Sequence, residues 1–137
     1  MEIDRMLAAD APPIMAILRG VKPEEAVAIA AALFDAGIRL IEVPLNSPDP
    51  YASIRRLQEA YGAVACIGAG TVVTADSVET LAATGATLMV SPNTDPALIA
   101  LARARGLQPM PGFYPSDLTD AQLGALTEYL KAKGGSE

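Results

Sequence analysis

Histidine and tryptophan are absent from this 137-residue chain, and cysteine occurs once, at Cys66. Without histidine the commonest metal ligand and the usual general base at neutral pH are missing, so any chemistry must rest on carboxylates, lysines or hydroxyls. A single cysteine excludes an internal disulfide and suits a reducing, cytoplasmic setting, with Cys66 itself expected as a small core residue. Aromatic residues make up only 4% of the chain, and no run of apolar residues is long enough for a membrane span or a signal peptide. Positive charge is also scarce. Ten Lys and Arg against sixteen Asp and Glu leave a net charge of -6, with no basic patch to hold nucleic acid.

What is present is a chain that is 51% hydrophobic, rich in alanine and leucine, with eleven prolines and eleven glycines as punctuation. Its length suffices for one domain with a core but falls short of the roughly 200 or more residues of a complete eight-stranded barrel.

Short β-rich runs alternate with longer helical patterns, the sign of parallel strands joined by crossover helices. The run Ile14 to Leu18 is bounded by Pro12-Pro13 and Arg19-Gly20 and reads as a first strand buried on both faces. Pro23-Glu24-Glu25 opens a helix that Gly37 stops, with proline where its missing N–H costs nothing and two carboxylates at the positive helix end. Arg39 to Pro44 is a second strand. Pro48 and Pro50 frame a loop into a helix over Ala52 to Ala60, which Gly62 ends. Val64 to Ile67 reads as a third strand entering a turn at Gly68-Ala69-Gly70-Thr71. Thr74 caps a third helix ending at Gly85, Thr87 to Val90 is a fourth strand, and Asp95-Pro96 starts a helix that Gly106 ends. Leu107 to Met110 is a fifth, shorter strand. Beyond Pro111 the pattern changes to a linker and an amphipathic helix, opened by the capping box Thr119-Asp120-Ala121-Gln122 and carrying Leu123, Leu126 and Leu130 at helical spacing.

In a parallel βα array the loops after the strands share one rim, and functional groups gather there. That rule collects Arg19, Glu42 with Asn46 and Ser47, Gly68 to Thr71, Pro92 with Asn93, and Pro111-Gly112-Phe113. Glu42 stands out as an acidic residue inside an apolar run. Burial raises a carboxyl pKa toward the range useful for moving protons at carbon. The same position equally suits a buried or rim ion pair with Arg19 or Arg39. Arg19 could hold a carboxylate through two parallel hydrogen bonds or be an ordinary surface charge, and Gly68-Ala69-Gly70-Thr71 could approach an anion or simply make a tight turn.

Ile17-Leu18-Arg19-Gly20, Ile41-Glu42-Val43-Pro44-Leu45-Asn46-Ser47-Pro48, Ile67-Gly68-Ala69-Gly70-Thr71-Val72 and Ser91-Pro92-Asn93 resemble, in order and spacing, the 2-keto-3-deoxy-6-phosphogluconate and 2-dehydro-3-deoxy-6-phosphogalactonate aldolases. The resemblance covers roughly residues 13 to 112, and the Pro-Leu-Asn-Ser-Pro stretch is closer to the galactonate branch. It implies an α/β fold of consecutive βα units, about five of the eight of a TIM-type barrel. It implies a homo-oligomeric lyase, free of metal or other cofactor, that cleaves a phosphorylated sugar acid to pyruvate and glyceraldehyde 3-phosphate. Glu42 would be the catalytic carboxylate, Arg19 would bind the pyruvate-derived carboxylate, and Thr71 and Pro92 would line the pocket. The family's Schiff-base lysine lies on its sixth strand, and no position here matches it. The lysines are Lys22, Lys131 and Lys133. The expectation is therefore an aldolase scaffold that is inactive by itself. The alternative is a non-catalytic α/β unit that at most binds small carboxylates, with no nucleic acid or membrane as partner.

Residues 113–137 form a second expected segment, a linker and helix following the partial barrel of residues 1–112. Met110-Pro111-Gly112-Phe113, Leu118 to Gln122 and Tyr129-Leu130-Lys131 look like the end of a class I c-type cytochrome, but haem attachment needs a Cys-x-x-Cys-His that the chain does not contain. The resemblance implies a tail grafted, by gene fusion, deletion or engineering, onto an aldolase amino-terminal portion, and the alternative is an unrelated amphipathic helix covering sheet surface. A flavodoxin-like five-stranded module remains a further class, without an acidic phosphoacceptor cluster or phosphate loop to support it.

Overall fold

The computed structural model describes residue 3, residue 5 and residues 11–110. The linker and terminal helix expected after Met110 lie outside the described residues.

Among the described residues from 11 to 110, five strands and four helices alternate: β1 (Met15–Ile17), α1 (Pro23–Asp35), β2 (Leu40–Pro44), α2 (Pro50–Tyr61), β3 (Cys66–Gly70), α3 (Ala75–Ala82), β4 (Leu88–Val90), α4 (Pro96–Ala104) and β5 (Gln108–Met110). All four pairings are parallel, and the order across the sheet is β1-β2-β3-β4-β5. Strand order decides between two fold classes here. A flavodoxin-like sheet places its first strand between the second and third, whereas a barrel built of βα repeats adds each strand beside the one before it. This sheet follows the second rule.

The helices begin where local chemistry lets them. Proline opens α1, α2 and α4 at the first turn, where no N–H is required. Thr74 accepts the Ser77 N–H at 3.2 Å, and Asp95 accepts those of Ala97 at 3.0 Å and Leu98 at 3.3 Å, satisfying donors that the helix leaves open. Gly37 follows α1 at φ 88, the left-handed geometry that reverses the chain. Gly62 after α2 is different: it keeps φ -60, and the absent side chain leaves room for Gln58. The helix α2 also starts two residues before the expected Ala52, because Pro50 itself takes the first helical position.

Period-two alternation gives the sheet two distinct faces. Ile41, Val43, Ile67, Ala69 and Met89 join one buried cluster with Ala26 and Ala30 of α1, Ile54 and Leu57 of α2, Val78 and Leu81 of α3, and Leu98 and Ala102 of α4. Each fully buried Leu or Ile in that layer contributes about 1.5–3 kcal/mol relative to exposure. On the opposite face Leu40 packs with Cys66 and Met15, so Cys66 is a core residue as expected. Glu42 and Pro44 follow Leu40 on that second face. Helices α1 to α4 hold one side of the sheet, while the other carries Glu42 and, with Ile3 packed against Leu40 and Cys66, a smaller apolar cluster.

The third strand departs from expectation. Gly68, Ala69 and Gly70 form its second half rather than a turn, and β3 pairs in register with β2 from Leu40–Cys66 to Pro44–Gly70. Glycine weakens a strand on its own, yet both glycines sit where a side chain has no space. A Cβ at Gly68 would run into the backbone carbonyl of Leu88 on β4, and one at Gly70 into the carboxyl group of Glu42. The turn is displaced to Thr71, and Val64, expected in the strand, is an exposed loop residue. Close approach of neighbouring chains outweighs local propensity here.

Candidate active site at the carboxyl ends of the strands

Glu42 is fixed in the sheet by its backbone. Its carbonyl accepts the Leu18 N–H at 2.9 Å, and its flanking residues Ile41 and Val43 are fully buried on the helix side. The side chain therefore points to the opposite face at the level of Ile17 and Gly68. It is only 4% exposed, and Oε2 has no hydrogen-bond partner. Burial pushes the carboxyl pKa above the ordinary 4.5, and the positive charge of Arg19 pulls it partly back.

Neither of the ion pairs that the sequence allowed for Glu42 is made. Arg39 turns to the helix side, where its guanidinium stacks 3.6 Å over the Phe34 ring and donates to the carbonyls of Phe34 at 2.8 Å and Ile38 at 3.1 Å. Arg19 is exposed at the end of β1 and donates through Nη1 to Asn46 Oδ1 at 2.7 Å. Its influence on Glu42 is through space. One face of its guanidinium fork is thus braced by the loop after β2, and the loop is itself tied back: the buried Ser47 hydroxyl accepts the Gly20 N–H at 3.0 Å. The loops after the first two strands behave as one braced rim.

Thr71 follows β3 at φ 60. A β-branched residue in the left-handed region is a steric outlier, held there by the pairing of the adjacent Val72 N–H with the Val90 carbonyl at 3.2 Å. Pro92 is exposed in the loop after β4, beside Ser91, whose hydroxyl donates to Asn93 Oδ1 at 2.7 Å. Arg19, Thr71 and Pro92 accordingly follow the carboxyl ends of β1, β3 and β4, with Glu42 in the middle of the adjacent strand β2. Phe113 lies outside the described residues.

Two contributions were not legible as such. The Arg19–Asn46 clamp joins residues 27 apart, and no spacing rule connects them. The cradle at Gly70 had a signal in principle: Gly68 and Gly70 stand two apart, which in a strand puts both on one face beside the acidic residue of the neighbouring strand. Among the described residues, no group of three or more His, Cys, Asp or Glu side chains is arranged to hold a metal ion, and no helix is long and apolar enough to cross a membrane. Lys22, the one lysine in the described region, precedes α1 and is exposed, with its backbone N–H donating to Glu25 at 3.3 Å.

A buried, unpartnered carboxylate beside an arginine can take and return a proton next to a bound carboxylate substrate. Similar proteins are found by both sequence and shape. A probable 2-dehydro-3-deoxy-6-phosphogalactonate aldolase of Rhizobium meliloti (strain 1021) is 51% identical over 115 residues, 82% of this chain and 54% of the relative. A structure described as native KDPGal superimposes with a TM-score of 0.71 at 44% identity, covering 73% of this chain and 48% of that one. KDPG aldolase from Legionella pneumophila, with pyruvate captured at low pH as a covalent carbinolamine intermediate, gives 0.67 at 29% identity over 74% of this chain and 48% of the other. The chain thus spans about half the length of the relatives it matches, and its open five-stranded sheet corresponds to part of their barrel. The family model for KDPG and KHG aldolases matches residues 4–128, and the chain belongs to that family.

Proposed function

We propose that these residues are the pyruvate-handling side of a lyase site that cleaves a 2-keto-3-deoxy-6-phospho sugar acid into pyruvate and glyceraldehyde 3-phosphate. The observation that carries the reading is Glu42: buried, unpartnered at Oε2, and raised in pKa by that burial. A carboxyl group in that condition can donate a proton to a carbonyl oxygen or carbinolamine hydroxyl and recover it when the carbon–carbon bond breaks. Arg19, braced by Asn46, holds the substrate carboxylate, and Thr71 and Pro92 line the pocket wall above β3 and β4. The names of relatives 51% and 45% identical to this chain favour the galactonate-derived substrate.

The covalent step of such a reaction needs an amine that forms an imine with the keto group. Lys22, the lysine among the described residues, is exposed at the start of α1 rather than on the sheet face that carries Glu42. A second reading is a scaffold that binds small carboxylates such as pyruvate without turnover, favoured by the lack of a buried lysine among the described residues. A cytoplasmic, self-associating protein fits both readings, the latter because Ile14 at 52% and Ile17 at 59% exposure leave an apolar margin along β1.

Pyruvate titration followed by NMR, paired with borohydride reduction and intact mass, tests both. Perturbed resonances at Arg19, Asn46 and Thr71 without a reduced adduct are the expected result. No perturbation at the rim, in folded protein, would refute the pyruvate site. A trapped adduct on any lysine would overturn the scaffold reading and assign the chain an imine chemistry of its own.

A further inference from the structure

We propose that Gly70 is a positioning residue: the empty place it leaves on β3 is what holds the Glu42 carboxyl group in its buried position. The functional weight of this inference rests on the reading of Glu42 given above, but the positional claim does not.

A Cβ at Gly70 would collide with Cδ and both oxygens of the Glu42 carboxyl group. Backbone conformation is not the reason for glycine at this position, because Gly70 is not among the residues with positive φ. Space is the reason. Nor does a hydrogen bond anchor Oε2, which lacks a partner. The packing cavity is therefore the main restraint on where the carboxyl group rests.

Gly68 supplies the contrast within the same strand. Its Cβ would strike the backbone carbonyl of Leu88, a rigid part of the sheet, so a side chain there must distort β3 against β4. The obstacle at Gly70 is the far end of a flexible side chain, which can rotate away and leave the sheet intact. Deeper on the same face lie Leu40 and Cys66, both buried and apolar, whereas Arg19 and solvent lie toward the rim. Arg19 is the one charged neighbour acting on Glu42 among the described residues. An expelled carboxylate gains solvation and attraction by moving toward it. Alanine at position 70 thus moves the proton-carrying group outward, away from the place where the β2 backbone aims it.

The test is carboxyl-carbon NMR titration of Glu42 in the wild-type chain, Gly70→Ala, Glu42→Asp and the double variant, with urea unfolding of each. In Gly70→Ala the Glu42 midpoint falls toward the ordinary glutamate value, a measurable loss of proton affinity relative to wild type. Aspartate is one methylene shorter and withdraws from Gly70, so adding Gly70→Ala to Glu42→Asp leaves the aspartate midpoint in place. Should Gly70→Ala fail to fold, recovery of folding in the double variant supports the same collision. An unchanged Glu42 midpoint in folded Gly70→Ala, an equal displacement in both backgrounds, or failure of both variants to fold overturns the proposal. Pyruvate-induced perturbation of the wild-type rim reports separately on the functional reading.

Discussion

Replacing Glu42 by glutamine keeps the shape of the side chain and removes its charge, so the variant isolates what that charge costs the fold. The carboxyl pKa is raised by burial in the folded state, so the native protein holds this proton more tightly than the unfolded chain does. Stability therefore falls as pH rises from the ordinary value of 4.5 through the raised native value, and stays at the lower level above it. Below 4.5 both states are protonated and the penalty vanishes. Glutamine leaves a polar oxygen in the same place, so the size is the difference between leaving a charged and a neutral group unpaired, about 1 kcal/mol once Arg19 offsets part of the charge. Glu42→Gln should then match wild type in urea at acidic pH and exceed it by about that amount near neutrality, roughly 4 °C in Tm for a domain of this size. Urea midpoints of both proteins across this pH range, with unchanged m, make the measurement. A stabilisation of equal size at every pH, or a variant that is weaker at neutral pH, would refute the argument that the charge is held without compensation.

Truncating Leu57, fully buried in α2 within the main cluster, should cost about 2–5 kcal/mol through lost burial and the cavity left behind; a loss under about 1 kcal/mol would mean the helix layer collapses around it. Thr71→Gly should relieve the left-handed strain and stabilise the chain by about 1 kcal/mol, while reducing pyruvate-induced shifts at the rim. Arg19→Ala removes the positive charge that pulls the Glu42 pKa down, so the Glu42 midpoint should rise further, read by the same carboxyl-carbon titration.

Much of the fold could be read from local pattern because βα units repeat a local rule. Pro23, Thr74, Asp95 and Gly37 each announce a helix boundary through chemistry confined to one turn, and each does so in the structure. Glu42 was legible for a similar reason: an acidic residue among Leu40, Ile41 and Val43 cannot reach solvent by alternation alone. Reading failed where contacts between strands decide. The Gly68-Ala69-Gly70 segment has the composition of a turn, and only the nearness of Leu88 and Glu42 makes it a strand. The choice between Arg19 and Arg39 as the neighbour of Glu42 was likewise invisible, since it depends on which face of β2 each side chain reaches and on the Phe34 ring that captures Arg39. Asp49 adopts φ 41 before α2 without capping it through its side chain, a feature the composition of the loop does not disclose.

The sequential strand order has a kinetic corollary. Each strand is paired with its neighbour in the chain, at separations of 25 residues from Met15 to Leu40, 26 from Leu40 to Cys66, and 20 each from Gly68 to Leu88 and from Leu88 to Gln108. No described pairing requires the first strand to find the last. Loop-closure entropy is thus met in small, similar steps rather than in one long search. A sheet of this order can grow outward from any adjacent pair, each new βα unit docking on an edge already formed. It is a fold that a ribosome could deliver one unit at a time, with the Glu42 carboxyl group already seated once β1, β2 and β3 have met.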